Sequence, residues 1–337
     1  MLLLQATKDI LLSNRMTIIM DGFQDRISII FIVTEGVIMI PIVLGNCLLI
    51  ICIKRHKTLH AKSYILIANL SMSDLLLGLV YIPYDMTFWY FPVLRENKFT
   101  CLLRNVLLLE FVGASVFNQL FLSVERYIAV AYPLWHLQLP RTWLICSITI
   151  PWIIATVIAV LPLFGWNSWN STVKCSYKFK ETLPVNYRLF CVALYFASIV
   201  ATFILFIKVV RITFKILQKR NSETEINILR ISTRSLQTSF EKTKLLILVL
   251  GLFVLFWFPY GVVVVLDGLV SKRNQAIEEA KVYAGLLALL NSSTNWAIYG
   301  LKNNNIRRAF KITLFRKKIG NTQQTFSRIR NINTISL

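Results

Sequence analysis

Residues 105–127 read NVLLLEFVGASVFNQLFLSVERY. From Asn105 to Val124 the run is apolar except for Glu110. At roughly 20 residues such a run can cross a bilayer core. Glu125-Arg126-Tyr127 then sets a charge pair at its end, which is costly in lipid and belongs at a membrane edge with work to do. Four other runs are nearly or fully free of charge: Gly36–Ile53, Trp143–Trp166, Leu189–Ile207 and Leu245–Leu266. Ser63–Tyr84, which holds Asp74, and Val282–Leu301 complete a set of seven. In lipid each must be a helix, because the backbone finds no other partners. Apolar residues form 56% of the chain and charged residues 16%, more apolar and less charged than a soluble domain. The expected fold is all-α: a seven-helix membrane bundle with a short amphipathic eighth helix. The expected divisions are an outer segment at 1–26, the bundle at 27–302, the amphipathic helix at 303–316 and a tail at 317–337.

The net charge of +21 has an address. Lys54, Arg55, Lys57 and Lys62 follow the first span, the segment 208–244 is strongly basic, and the tail after Leu301 carries many Lys and Arg and no acid. Seven spans put all three segments on one side, so the positive-inside rule places the C-terminus in the cytoplasm and the N-terminus outside. Anionic inner-leaflet lipid accounts for the basic excess. Nucleic acid does not, because the charge lies against a membrane. Met1–Leu4 is apolar but no cleavage site follows, so the first span can act as its own signal, and Met16 and Met20 are alternative starts.

Cys101, at the outer end of the third span, and Cys175, in the second outer loop, both face the oxidising side and are expected to form a disulfide. Cys47, Cys52, Cys146 and Cys191 lie in or beside spans and read as packed thiols. Asn170-Ser171-Thr172 is an outward-facing glycosylation sequon. The chain has no Walker loop, no HExxH and no metal-spaced Cys/His cluster, and nothing resembles a catalytic set, so an enzyme is not expected.

Polar residues inside spans mark function by default. Asn46, Asp74, Ser115, Asn291 and Asn295 would share one depth if all face inward. Such hard oxygens suit a small cation such as sodium, and equally a hydrogen-bonded glue between helices; spacing alone favours the glue. Pro259 in Trp257-Phe258-Pro259 kinks the sixth span beside a large indole.

Together these residues resemble the rhodopsin-like (class A) G-protein-coupled receptors, across residues 35–315. The resemblance rests on Gly45-Asn46, Leu70-Ser71-Met72-Ser73-Asp74, Cys101, Glu125-Arg126-Tyr127 with Pro133-Leu134, Trp152, Cys175, Phe253 with Trp257-Phe258-Pro259, and Asn295 with Tyr299. Each is short; in order, each on its expected span, they are specific. The resemblance implies a plasma-membrane receptor for a heterotrimeric G protein, an allosteric sodium pocket at Asp74, Ser115, Trp257, Asn291 and Asn295, a toggle at Trp257, and Leu134 entering the G protein. Within the class the chain looks similar to the adenosine, lysophospholipid, cannabinoid and melanocortin branch, through Gly165-Trp166-Asn167, Leu290–Asn295 and Ile306–Phe310.

The implied ligand site takes in Glu35, Asp85, Arg104, Asn105, Leu108, Val112, Tyr177, Trp257, Tyr260 and Val264. Leu108 stands where amine receptors carry an aspartate, which argues against a biogenic amine. Arg104 matches the head-group arginine of lysophospholipid receptors, and a guanidinium suits phosphate. It could equally be an arginine snorkelling to the interface. The apolar Leu108, Val112, Tyr260 and Val264 suit an acyl chain. Glu35 and Asp85 are expected at the upper rim, where a cationic or polyhydroxyl ligand could meet them, and Glu110 is expected to turn to a Ser or Thr of the fourth span. A lysophospholipid-like lipid is favoured; a nucleoside is the alternative, weakened by Val264 and Leu289 where adenosine receptors bind purine.

The implied mechanism is a population shift in which the sixth helix swings out and Arg126 leaves Glu125 for a Gα helix. Three departures bear on it. Trp296 replaces the proline of Asn-Pro-x-x-Tyr, Ser239 replaces the sixth-span acid that pairs with the arginine, and Phe206 replaces a tyrosine expected to meet Tyr299. They leave open raised basal activity, poor coupling, or a receptor that binds without signalling. Ser327, Thr334 and Ser336 are the candidates for phosphorylation and arrestin recruitment. A transporter would show inverted repeats, and none is seen.

Overall fold

The computed structural model describes residues 32–169, 175, 182–222, 248–249, 251–253, 255–267 and 275–315. Among them there is no strand. Eight main helices follow in order: α1 Ile32–Arg55, α2 Lys62–Tyr90, α3 Lys98–Ala131, α4 Arg141–Phe164, α5 Val185–Ser222, α6 Gly251–Asp267, α7 Gln275–Lys302 and α8 Asn304–Phe315. Short helices at Pro92–Glu96 and Pro133–Gln138 sit in the loops.

Helices α1 to α5 are long and apolar enough to cross a membrane. The described part of α6 is shorter. Helix α7 contains the whole expected span Val282–Leu301 but begins two turns earlier, at residues that include Glu279 and Lys281. Its centre carries Asn291-Ser292-Ser293-Thr294-Asn295, so it is less apolar than the other spans because its polar groups turn inward.

Helix α3 is the axis of the bundle. Its most apolar window is 67% buried, against 28% for α4 and 17% for α5, and it packs on α2, α4 and α5. Asn97 starts it: the side-chain oxygen accepts hydrogen bonds from the backbone N–H of Phe99 (2.8 Å) and Thr100 (3.4 Å). At 34 residues it is about 50 Å long, so it outreaches the bilayer core and carries Glu125-Arg126 beyond it.

Helix α2 contains a π-turn over Leu77–Tyr81, just before Pro83. Proline has no N–H to give and its ring crowds the preceding turn, and the loosened turn absorbs both effects. Helix α4 ends in a tight turn at Leu161–Phe164, closed by Gly165 at φ 113°. Glycine takes that left-handed geometry at no steric cost. Asn167 then donates to the Pro162 carbonyl (2.7 Å), and the Trp166 ring packs on Tyr187 and Phe190 of α5. The Gly165-Trp166-Asn167 stretch therefore joins α4 to α5.

Polar pairs staple the central helices. Trp152 donates to Asn69 (3.0 Å), which donates to Asn118 (2.6 Å), linking α4, α2 and α3. Thr156 donates to Glu110 (3.1 Å), the fourth-span partner expected for that acid. Cys101 and Cys175 form the expected disulfide, with Cα atoms 6.0 Å apart. Of the remaining cysteines Cys52 and Cys191 are buried, whereas Cys146 is exposed on the outer face of α4 rather than packed.

Candidate functional site

A cavity of about 950 Å³ opens among the outer halves of the helices. That lies at the upper end of the roughly 300–1,000 Å³ usual for ligand sites. Its walls are mostly apolar, and Leu108, Val112, Trp257, Tyr260 and Val264 line it as expected from sequence. Arg104 and Glu35 line it as well.

Three expectations about its polar groups need correction. Arg104 is 3% exposed, so it does not snorkel. Its Nε is ion-paired with Asp85, and its guanidinium lies 5.5 Å from the Phe88 ring and 5.2 Å from the Trp89 ring. Asp85 is fully buried, receives the Trp89 indole N–H (3.0 Å) as well as Arg104, and is not part of the cavity wall. It balances a buried cation instead of meeting a ligand at the rim. Asn105 is also off the wall: its amide donates to Thr182 (3.0 Å) and holds the segment that leads into α5. Tyr177 and the sequon at Asn170 lie outside the described residues.

The opposite wall holds a charge cluster that sequence reasoning missed. Arg188 of α5 donates to Asp267 at the end of α6 (2.5 Å), and Lys281 of α7 stands 3.2 Å from the same carboxylate. Arg188 is 8% exposed, and its Nε and Nη2 have no hydrogen-bond partner among the described residues. Arg188 and Lys281 both line the cavity. The signal was present: three apolar runs each meet a charge at the same outer depth.

Asp74 is the centre of the lower bundle and is fully buried. It accepts hydrogen bonds from Ser115 (3.2 Å), Ser292 (2.7 Å) and Asn295 (2.9 Å). Ser292 was missed from sequence, although it follows Asn291 directly. Asn46 does not reach Asp74; it donates to the backbone oxygens of Ile42 (2.9 Å) and Ser292 (3.0 Å). Asn291 makes no hydrogen bond to Asp74, and the side-chain oxygens of Asn291 and Asn46 are buried without a partner among the described residues. A buried carboxylate ringed by hydroxyls and orphaned amide oxygens is chemically suited to a small hard cation.

At the end of α3 away from the disulfide, Glu125 is fully buried and faces one hydroxyl, one imidazole and one guanidinium. Ser63 donates at 2.8 Å, His136 lies at 2.8 Å, and the Arg126 Nε stands 3.2 Å away. His136 was not singled out from sequence. Its loop is pinned by Lys62, which donates to the carbonyls of His136 (2.9 Å) and Leu139 (3.0 Å). Tyr127 packs on Tyr132 and lies under Lys208. Pro133 and Leu134 are exposed, Leu134 at 76%, beside the exposed Trp135 and Leu137. Such an apolar patch marks an interaction surface. Tyr299 is fully buried, its hydroxyl without a partner among the described residues, and Phe206 lies against Phe203. Ser239 lies outside the described residues. The Trp296 indole lies across Gly45 of α1.

Residues 45–299 match the family described as 7 transmembrane receptor (rhodopsin family). The chain is 31% identical over 265 residues to lysophosphatidic acid receptor 3 of Rattus norvegicus, covering 78% of this chain and 72% of that one. It is 29% identical over 286 residues to sphingosine 1-phosphate receptor 1 of Danio rerio, covering 80% and 74%. It is 29% identical over 276 residues to lysophosphatidic acid receptor 2 of Homo sapiens, covering 81% and 76%. These relatives fall in the branch to which the sequence motifs pointed. With its buried Glu125 paired to Arg126, its Asp74 centre and its disulfide-pinned loop, the chain belongs to the rhodopsin family of seven-transmembrane receptors.

Proposed function

We propose that this receptor binds a single-chain lysophospholipid from the outer side of the plasma membrane and passes the signal to a heterotrimeric G protein. The observation that carries the reading is Arg188, a buried cavity-lining guanidinium with two nitrogens that have no partner among the described residues. Such a group is costly unless an anion comes to it, and a phosphate accepts two N–H groups at once. The apolar remainder of the wall suits an acyl chain. The names of the relatives, lysophosphatidic acid and sphingosine 1-phosphate receptors, support the same class over a nucleoside.

The test is nucleotide exchange on purified G protein in membranes holding this receptor, with lysophosphatidate, sphingosine 1-phosphate and adenosine as probes. The expected result is a response to at least one lipid that Arg188→Ala weakens by about tenfold or more. A response to adenosine alone, or lipid potency unchanged by Arg188→Ala, would remove the reading. The basic inner segments support an outer N-terminus and a cytoplasmic C-terminus. Arrestin recruitment would rest on Ser327, Thr334 and Ser336, which lie outside the described residues. A sodium ion, if bound, would be held by Asp74 and Ser115 with Asn291, Ser292 and Asn295 around them, and would supply the positive charge that Asp74 lacks.

A further inference from the structure

The polar lining of the cavity is divided by sign. On the side of α5, α6 and α7, the two cations Arg188 and Lys281 share one acid, Asp267. On the side of α1, α2 and α3, the two acids Glu35 and Asp85 share one cation, Arg104. Asp85 is committed, since it takes both the Arg104 Nε and the Trp89 indole. Glu35 has no cation of its own and lies against the Asp85 carboxyl. It is fully buried, it lines the cavity, and neither carboxylate oxygen meets a hydrogen-bond donor among the described residues.

A bare carboxylate at this depth is unfavourable by itself, because water is excluded and the neighbouring cation is already engaged. A donor brought in by the ligand would satisfy it. We propose that Glu35 receives an ammonium group of the ligand. The ligand is then a lysophospholipid whose head group carries an amine beside its phosphate, as sphingosine 1-phosphate does and lysophosphatidate does not. Arg104 stands next to Glu35 but stays with Asp85, so the phosphate remains the partner of Arg188 and the amine that of Glu35. Glu35 thereby sets selectivity within the proposed lysophospholipid class, on which this inference rests. An anion with no cation would leave Glu35 without a partner and raise the negative charge near it.

The experiment compares sphingosine 1-phosphate with lysophosphatidate of matched chain length on wild type, Glu35→Gln and Glu35→Asp, by nucleotide exchange and by thermal shift of purified receptor. Wild type is expected to favour the amine-bearing lipid. Glu35→Gln keeps the shape and removes the charge, so it should lower the potency of sphingosine 1-phosphate by about tenfold or more and leave lysophosphatidate unchanged or improved. Glu35→Asp should keep the preference. If Glu35 instead carries a proton shared with Asp85, glutamine mimics it, neither lipid shifts, and the assignment is overturned while the lysophospholipid reading stands. Equal losses for both lipids overturn it in the same way. Silence of wild type toward both lipids overturns the lysophospholipid reading and this inference with it.

Discussion

The indole of Trp296 occupies the space that a side chain at Gly45 would need: a Cβ at residue 45 would stand 2.1 Å from the ring. The bulky residue that replaces proline in α7 is thus accommodated by a glycine on α1. The two positions act as a knob and a notch that hold the inner end of α7 to α1.

Gly45→Ala is expected to force the indole aside and to lower stability by about 1–3 kcal/mol, as overpacking does. In the Trp296→Ala background the same change should cost almost nothing. A double-mutant cycle on the thermal midpoint of purified receptor measures this. Additive losses would show that the two residues do not share a space.

Trp296→Ala should also loosen α7 from α1 and raise ligand-free nucleotide exchange above wild type. Exchange indistinguishable between the two would show that the knob and notch place no restraint on switching.

Arg104→Ala removes the cation from a buried pair and leaves Asp85 alone in the bundle. The expected cost is about 3–5 kcal/mol, seen as lost surface expression and a lowered melting midpoint. Replacing both partners, Arg104→Leu with Asp85→Leu, should recover most of the loss. Arg104→Ala alone therefore cannot report on ligand contact, because its effect on folding comes first.

Wild-type receptor should melt at a higher temperature in sodium chloride than in choline chloride of equal strength, since a ligand that binds only the folded state stabilises it by mass action. Asp74→Asn should abolish that difference. A sodium effect that persists in the variant would place the ion elsewhere.

Glu125 gathers Ser63, His136 and Arg126 around one carboxylate. Glu125→Gln should weaken its hold on Arg126 and raise basal exchange. His136→Ala should act in the same direction but less, because the Ser63 hydrogen bond and the ion pair with Arg126 remain. Basal exchange that rises in neither variant would show that this cluster is not the restraint on Arg126.

The spans were legible because each apolar run had to be a helix, and the disulfide because both cysteines fall at the same end of the bundle. Glu125-Arg126 and Asp74 were legible because charge in lipid is rare enough to stand out. What remained hidden depends on the rotation of one helix against another. Nothing within the run around Asp85 says that it faces Arg104, and Ser292 looks no more inward than its neighbours until α7 is set against α2. Arg188, Asp267 and Lys281 sit near the ends of three different spans. Each alone reads as an interfacial charge, and only the packed bundle brings them to one carboxylate.

The π-turn at Leu77–Tyr81 carries a further consequence, one of phase. Each residue advances a helix by about 100°, so deleting one within this turn would rotate the entire outer half of α2. Asp85 would swing away from Arg104, and a buried acid and a buried base would both be stranded. The length of that segment is therefore set by electrical register: α2 can exchange side chains there, but it cannot gain or lose a residue without misaligning the charges above it.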